Sequence, residues 1–286
     1  MLVQSSYGKS RVRLVHVRRG PDRHDLRDLT VAVRFEGDYD ESYTDGDNSA
    51  VLPTDTMKNT VYALAAQDAV GDPESFGIRL TKHFLARNER LTRVRIDCTE
   101  HLWNRLATGT GPHPHAFVRQ GGGTRTAIVE ATRDGTTVAA GVADLVIMKS
   151  AASAFDGFPR DEYTTLPGTR DRLLATALTA VWQYSRSDVD FTSMWTAVQD
   201  TLLEVFAGHQ SESVQHTLYA MGQAVLDTIL QVAAIRLTMP NKHHLPVDLS
   251  GFGLENRNEI FVATEEPHGL IKATLTRPLV RPTLPR

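Results

Sequence analysis

Residues Thr126–Met148 read TAIVEATRDGTTVAAGVADLVIM. Two apolar runs, Thr126–Arg133 and Thr136–Met148, flank Asp134-Gly135. Asp-Gly supplies the backbone freedom of a two-residue turn, so the stretch predicts an antiparallel hairpin. The chain opens in the same way. Arg11–Arg18 interleaves basic residues with Val12, Leu14, Val15 and Val17, and Gly20-Pro21-Asp22 is a turn signal. Leu29, Val31, Val33 and Phe35 then alternate with Thr30, Ala32 and Arg34. That period of two marks a strand with one buried face.

Between these hairpins the period changes. Gly37–Asn48 is acidic and turn-rich and reads as a loop. A helix is expected from Thr54-Asp55, both able to cap orphan N–H groups, with Met57, Val61, Leu64 and Ala65 at helical spacing. Gly71-Asp72-Pro73 ends it, and a second helix places Phe76, Leu80, His83, Phe84 and Arg87 on one face. Strands return from Thr92, and Gly121-Gly122-Gly123 reads as a loop.

The second half repeats the pattern with little residue identity. Arg172–Tyr184 reads as a strand. Phe191, Met194, Trp195, Val198, Leu202 and Val205 form one helical stripe, and Val214, Leu218, Met221, Val225 and Ile229 another. Ala234–Met239, Glu259–Ala263 and Leu270–Thr276 are strand-like. The expected class is α+β: two units, residues 1–140 and 141–286, each an antiparallel sheet with helices on one face. The two units are expected to share one long sheet, which must curl, pack or pair with a neighbour, so oligomerisation is expected.

Composition excludes several classes. The chain has 286 residues with 31 Lys and Arg against 34 Asp and Glu, a net charge of −3. Such a balance gives no global pull towards nucleic acid or anionic membrane. The single cysteine, Cys98, rules out an internal disulfide framework and a cysteine-based zinc site. No apolar run approaches the ~20 residues of a membrane helix, and no signal-peptide region opens the chain. The expected location is cytoplasmic.

A few short segments carry chemical potential. Tyr7-Gly8-Lys9 offers close backbone approach and a flexible amine, and equally reads as a solvated lysine in a frayed terminus. Thr54–Thr60 gathers hydroxyls, a carboxylate and free helical N–H groups suited to an anionic or polar ring, or merely to capping. Asn241-Lys242-His243-His244 combines an amide with imidazoles that move protons near neutral pH, or is a polar turn. His113-Pro114-His115 lacks a third ligand and reads as a solvent-facing loop, so no metal site is expected. Phe155, Arg172 and Gln215 carry no meaning individually.

Jointly these segments resemble the urate oxidase (uricase) family. The matching stretches are Tyr7-Gly8-Lys9, Gly46-Asp47-Asn48-Ser49, Thr54–Thr60, Phe158–Leu166, Asp171-Arg172, Ser213-Val214-Gln215 and Pro240–His244. They follow the family's order over nearly the whole chain. The resemblance implies tandem tunnelling-fold units whose barrel is completed by oligomerisation, in a homotetramer with sites between subunits. It implies oxidation of urate by dioxygen and water to 5-hydroxyisourate and hydrogen peroxide, with no metal and no organic cofactor. By motif, Lys9, Thr54 and His243 match the catalytic relay. Phe155 matches the ring that stacks on the purine, Arg172 and Gln215 grip the substrate, and the backbones of Asp55 and Val214 add hydrogen bonds. Asn241 faces the dioxygen or water position. Thr54 and Asp55 come from the neighbour of the chain supplying Phe155 and Arg172.

Departures from the family pattern are Pro53 before Thr54 and Leu245-Pro246 after His244, where Pro246 is expected to shift the strand. The Arg277–Arg286 stretch is expected to be a mobile tail. Two other readings compete: a catalytically weak purine-binding relative, and a pterin enzyme of the same fold. The Arg and Gln pair argues against the pterin enzyme, which needs an anchoring carboxylate.

Overall fold

The computed structural model describes residues 2–278 and Leu284. The chain divides into two compact units, Met1–Gly141 with Gln183–Trp195, and Val142–Trp182 with Thr196–Arg286.

In the first unit, β1 (Tyr7–Arg19), β2 (His24–Gly37), β3 (Leu91–Glu100) and β6 (Thr124–Ala131) form an antiparallel sheet in the order β1-β2-β3-β6. Helices α2 (Thr54–Gln67) and α3 (Pro73–Arg87) pack on one face of it. The alternation in the sequence has a direct outcome: Leu29, Val31, Val33 and Phe35 of β2 and Val94 and Ile96 of β3 are all buried. They meet Met57, Val61 and Leu64 of α2 and Phe76, Leu80 and Phe84 of α3 in one core. Each such side chain gains about 1.5–3 kcal/mol from burial. Gly77 lets α3 lie close to β6, since a Cβ there would stand 2.6 Å from Val129 Cγ2.

The second unit holds most of β7 (Thr136–Lys149), β8 (Leu174–Tyr184) and α4 (Phe191–Gly208), and all of α5 (Val214–Thr228), β9 (Val232–Lys242) and β12 (Gly269–Thr276). Its strand order is β7-β8-β9-β12, and α5 packs on β9 and β12. A separate ladder pairs β10 (His244–Pro246) with β11 (Phe261–Ala263). Two strands, two helices and two strands therefore recur in each unit: β1, β2, α2, α3, β3, β6 and then β7, β8, α4, α5, β9, β12.

Several local expectations are corrected. The acidic stretch Gly37–Asn48 contains a short helix, α1 (Asp40–Thr44). His113-Pro114-His115 is not a loop. It lies in β5 (Gly111–Arg119), which pairs irregularly with β4 (Trp103–Thr108) in a small hairpin between β3 and β6. Neither Thr54 nor Asp55 caps α2. Pro53 occupies the cap position without a side-chain bond, because its fixed φ of −56° directs Thr54 into the first turn. Asp72, expected only to end α2, caps α3 by accepting from the Ser75 N–H, with Pro73 just inside the helix. On α3, Arg87 is exposed and His83 half-buried, so the buried face is narrower than its spacing suggested. The strand expected from Arg172 begins at Leu174. Most of the tail from Arg277 lies outside the described residues. Arg277 itself is held, donating to the carbonyls of Val232 at 2.9 Å, Ile229 at 3.2 Å and Leu226.

One ion pair is fully enclosed in the first unit. Arg125 Nη2 on β6 donates to Glu74 Oε2 in the first turn of α3 at 2.8 Å, with side chains 4% and 0% exposed. Burial pushes the Glu74 carboxyl up to about 7, while Arg125 pulls it down. Removing one partner strands the other charge. Arg125→Met and Glu74→Leu are each expected to cost about 3–5 kcal/mol in denaturant unfolding, and the double variant markedly less than either.

Candidate active site

The family-matched residues fall into two groups, one in each unit. The first sits where β1 meets α2. Gly8 has no room for a side chain, because a Cβ would stand 2.0 Å from the Val33 carbonyl oxygen on β2. The close approach expected of this glycine is thus to the neighbouring strand. Immediately after Lys9 the ladder slips, from Lys9 opposite Val33 to Val12 opposite Val31. The extra residue is absorbed by Arg11 at φ +58°, a β-bulge that re-aims this end of the strand.

Tyr7 fixes the approach of α2. Its phenol oxygen accepts from the Leu52 N–H at 3.1 Å, two residues before Thr54, and its ring packs edge-on against Phe35 and Tyr39. Burial pushes the phenol up, so it stays neutral. Strand alternation puts Lys9 on the same face as Tyr7. Thr54 is half-buried in the first turn of α2 and Asp55 is exposed. Asp55 accepts from Lys58 and, at 2.9 Å, from Asn59. Its carboxyl lies below the usual range, held there by Lys58 first and by Lys9 in smaller part. Lys9, Thr54 and Asp55 therefore share one corner.

The second group lines a cavity of about 380 Å³ in the second unit, and it includes Phe155, Arg172, Asn241 and His243. Backbone pairing outside the main ladders sets the first two. Phe155 and Thr169 exchange bonds at 2.7 and 2.9 Å, and the Arg172 N–H donates to Ser153 O at 2.9 Å. The Arg172 Cζ then lies 5.4 Å from the Phe155 ring centroid, and Phe155 stacks on Phe158 at 4.9 Å. Burial lowers the Arg172 pKa, and its enclosed Nε meets no acceptor. A buried donor left unpaired is costly, which marks it as awaiting an acceptor.

Asn241 and His243 sit where β9 ends. Asn241 pairs with Gly269 of β12, whereas the His243 carbonyl accepts from Thr264 N at 2.9 Å. The Asn241 amide and His243 Nδ1 stand 3.4 Å apart. Pro246, expected to disturb this strand, closes the short ladder opposite Phe261, with Val247 N donating to Ile260 O beyond it.

Val214 and Gln215 begin α5, where the Ser213 hydroxyl caps the His216 N–H at 3.1 Å. Val214 is buried and Gln215 exposed, and neither lines the cavity. Their tie to it is indirect: Ala154 N donates to Ser211 O at 2.7 Å and Ser211 N to Ala152 O at 3.0 Å. Leu166, Asp171 and His244 of the matched segments also line the cavity, as do Leu245 and Pro246 of the noted departure, whereas Asn258 and Phe261 were not singled out as site residues from the sequence. Among the described residues no group of three or more His, Cys, Asp or Glu is placed to hold a metal.

Two units of antiparallel sheet with helices packed on one face define a tunnelling-fold protein, and in the second unit an aromatic face, a cation with an open N–H, a carboxamide and an imidazole surround one cavity. The uricase family model matches residues 5–130 and 138–272. The chain belongs to the uricase family. It is 43% identical to a uricase of Arthrobacter globiformis over 97% of this chain and 90% of that protein. It is 36% identical to a uricase of Oryctolagus cuniculus over 97% and 95%. The crystal structure of uricase from Arthrobacter globiformis superposes with a TM-score of 0.95 at 42% identity, covering all of this chain and 98% of that one.

The close approach at Gly8 generates a prediction. Gly8→Ala forces β1 away from β2 beside Lys9. Stability is expected to fall by about 1–3 kcal/mol, the usual cost of overpacking. Thermal unfolding measures this, and turnover should fall more than stability alone explains.

Proposed function

We infer that the chain is an oxidoreductase that converts urate, dioxygen and water to 5-hydroxyisourate and hydrogen peroxide. The observation that carries this, beside family membership, is the enclosed Arg172 Nε without an acceptor next to the Phe155 ring. Urate is flat and anionic at neutral pH. An aromatic face fixes its height, and a planar guanidinium matches two acceptors in its plane, which a lysine cannot do. The Gln215 carboxamide and the backbones of Val214 and Asp55 complete the grip. Asn241 faces the position of dioxygen or water. Lys9, Thr54 and His243 move protons, raising the population of the reducing, deprotonated substrate. Substrate supplies both electrons to dioxygen, so the reaction needs no metal and no organic cofactor.

The two residue groups then act together across subunits. In this reading Lys9, Thr54 and Asp55 of one copy complete the cavity of another, within a cytoplasmic homotetramer of chains built from units 1–140 and 141–286. The catalytically weak alternative has nothing specific in its favour, because Pro246 ends its ladder without displacing the neighbouring bonds.

The test begins with chelator-treated protein, which should still remove urate absorbance and release peroxide. Turnover restored only by one added metal would overturn the metal-free reading. In the same assay Arg172→Lys should weaken a non-reactive purine inhibitor by about 1.5–3 kcal/mol. Lys9→Met should lower turnover ~10²–10⁴-fold with little change in inhibitor affinity. Inhibitor binding lost with turnover intact would make Lys9 a binding residue.

Shared sites carry their own test. Thr54→Ala and Arg172→Ala chains, each inactive, should regain activity when mixed into confirmed hybrid oligomers. Hybrids with no recovery would place each site within one chain.

A further inference from the structure

The repeat of two strands, two helices and two strands gives each main element and connection of the second unit a counterpart by order in the first. The cavity holding Arg172 and Asn241 is built from the β7–β8 and β9–β12 connections, and the α4–α5 connection ties to it through Ser211. The counterparts in the first unit are the β1–β2, β3–β6 and α2–α3 connections. These same three segments enclose a cleft of about 490 Å³, through Arg23, Trp103 and Arg105, and Ala69–Gly71 respectively, with Arg18 at the end of β1 and Asp25 at the start of β2 beside them.

The chemistry of this cleft differs from that of its counterpart. Arg18, Arg23 and Arg105 converge on one carboxylate, Asp25, at 2.5, 3.5 and 2.9 Å. Arg27, also in the lining, pairs with Glu100 at 2.5 Å. Four guanidiniums against two carboxylates leave an excess of two positive charges. Arg105 is fixed by the His24 and Pro114 carbonyls, whereas Arg18 and Arg23 pair with Asp25 from side chains that are 69% and 67% exposed, where water screens the pairing. A partly exposed indole, Trp103, stands in the same wall. Two extra positive charges match a phosphate monoester of about −1.5 to −2, and guanidinium forks match its oxygens.

We propose that this cleft is a second ligand site, separate from the urate cavity, that binds a phosphate-bearing anion through Arg18 and Arg23. It owes nothing to the urate assignment. The shared chemistry covers inorganic phosphate and a mononucleotide whose base lies against Trp103. Calorimetric titration of the full chain with each of inorganic phosphate and guanosine monophosphate distinguishes them. Saturable binding of phosphate alone, or equally of both, supports a free-anion site, and tighter binding of the nucleotide supports a nucleotide site. In the double variant Arg18→Glu with Arg23→Glu, affinity should fall about tenfold or more. Urate turnover without added anion should be unchanged, and circular dichroism should show an intact fold. Absence of saturable binding at millimolar concentrations, or equal affinity in the double variant, would overturn the proposal.

Discussion

Five backbone hydrogen bonds outside the main ladders hold the second unit's cavity together. Ser211, just before α5, accepts from Ala154 N and donates to Ala152 O, Phe155 and Thr169 exchange two bonds across a loop, and Arg172 N reaches Ser153 O. None involves the side chains assigned to urate. They knit three pieces of irregular chain into a small scaffold, and buried backbone groups away from a ladder need such partners. The aromatic face, the cation and the start of α5 thereby share one frame. A shift in any piece is transmitted to the other two, so the spacing between ring and guanidinium is a backbone property.

Much of the layered fold was legible in the sequence, because alternation and helical spacing report directly on which face is buried. Val31, Val33 and Phe35, or Leu218, Met221 and Val225, decide their elements locally. The misses have physical causes. Pro112 and Pro114 argue for a loop by local rules, yet they lie in an irregular, partly exposed ladder that needs few of their missing donors. Thr54 and Asp55 are good capping residues, but the preceding Pro53 takes the cap position, leaving their side chains for other work.

The site was legible to a different degree. Arg172, Asn241 and His243 stand in distinctive short segments, and the structure brings them to one cavity. The opposite wall was not legible, because Asn258 and Phe261 reach it only through the return of a long connection to β10. No local pattern encodes that return. The repeat of units shows a parallel limit. Arg11 at φ +58° on β1 and Asp144 at φ +57° on β7 each lie three residues after a glycine of the same strand, Gly8 and Gly141. The residue after the glycine is Lys9 in one and Val142 in the other. The two strands share a backbone feature but not the side chain beside it, so the repeat is one of pattern.

The contact between Gly8 and the Val33 carbonyl has a consequence for how this protein can change. Most side chains reach their positions through layers of packing, and a substitution in the core moves them. Lys9 stands instead on a strand whose height is set by backbone against backbone, with no side chain interposed. Thr54, by contrast, rides on α2, whose Met57 and Val61 lie in the core with Val12 and Leu14 of β1. Substitutions in that core bear on the spacing between helix and strand, and the register of β1 against β2 is held by the backbone contact.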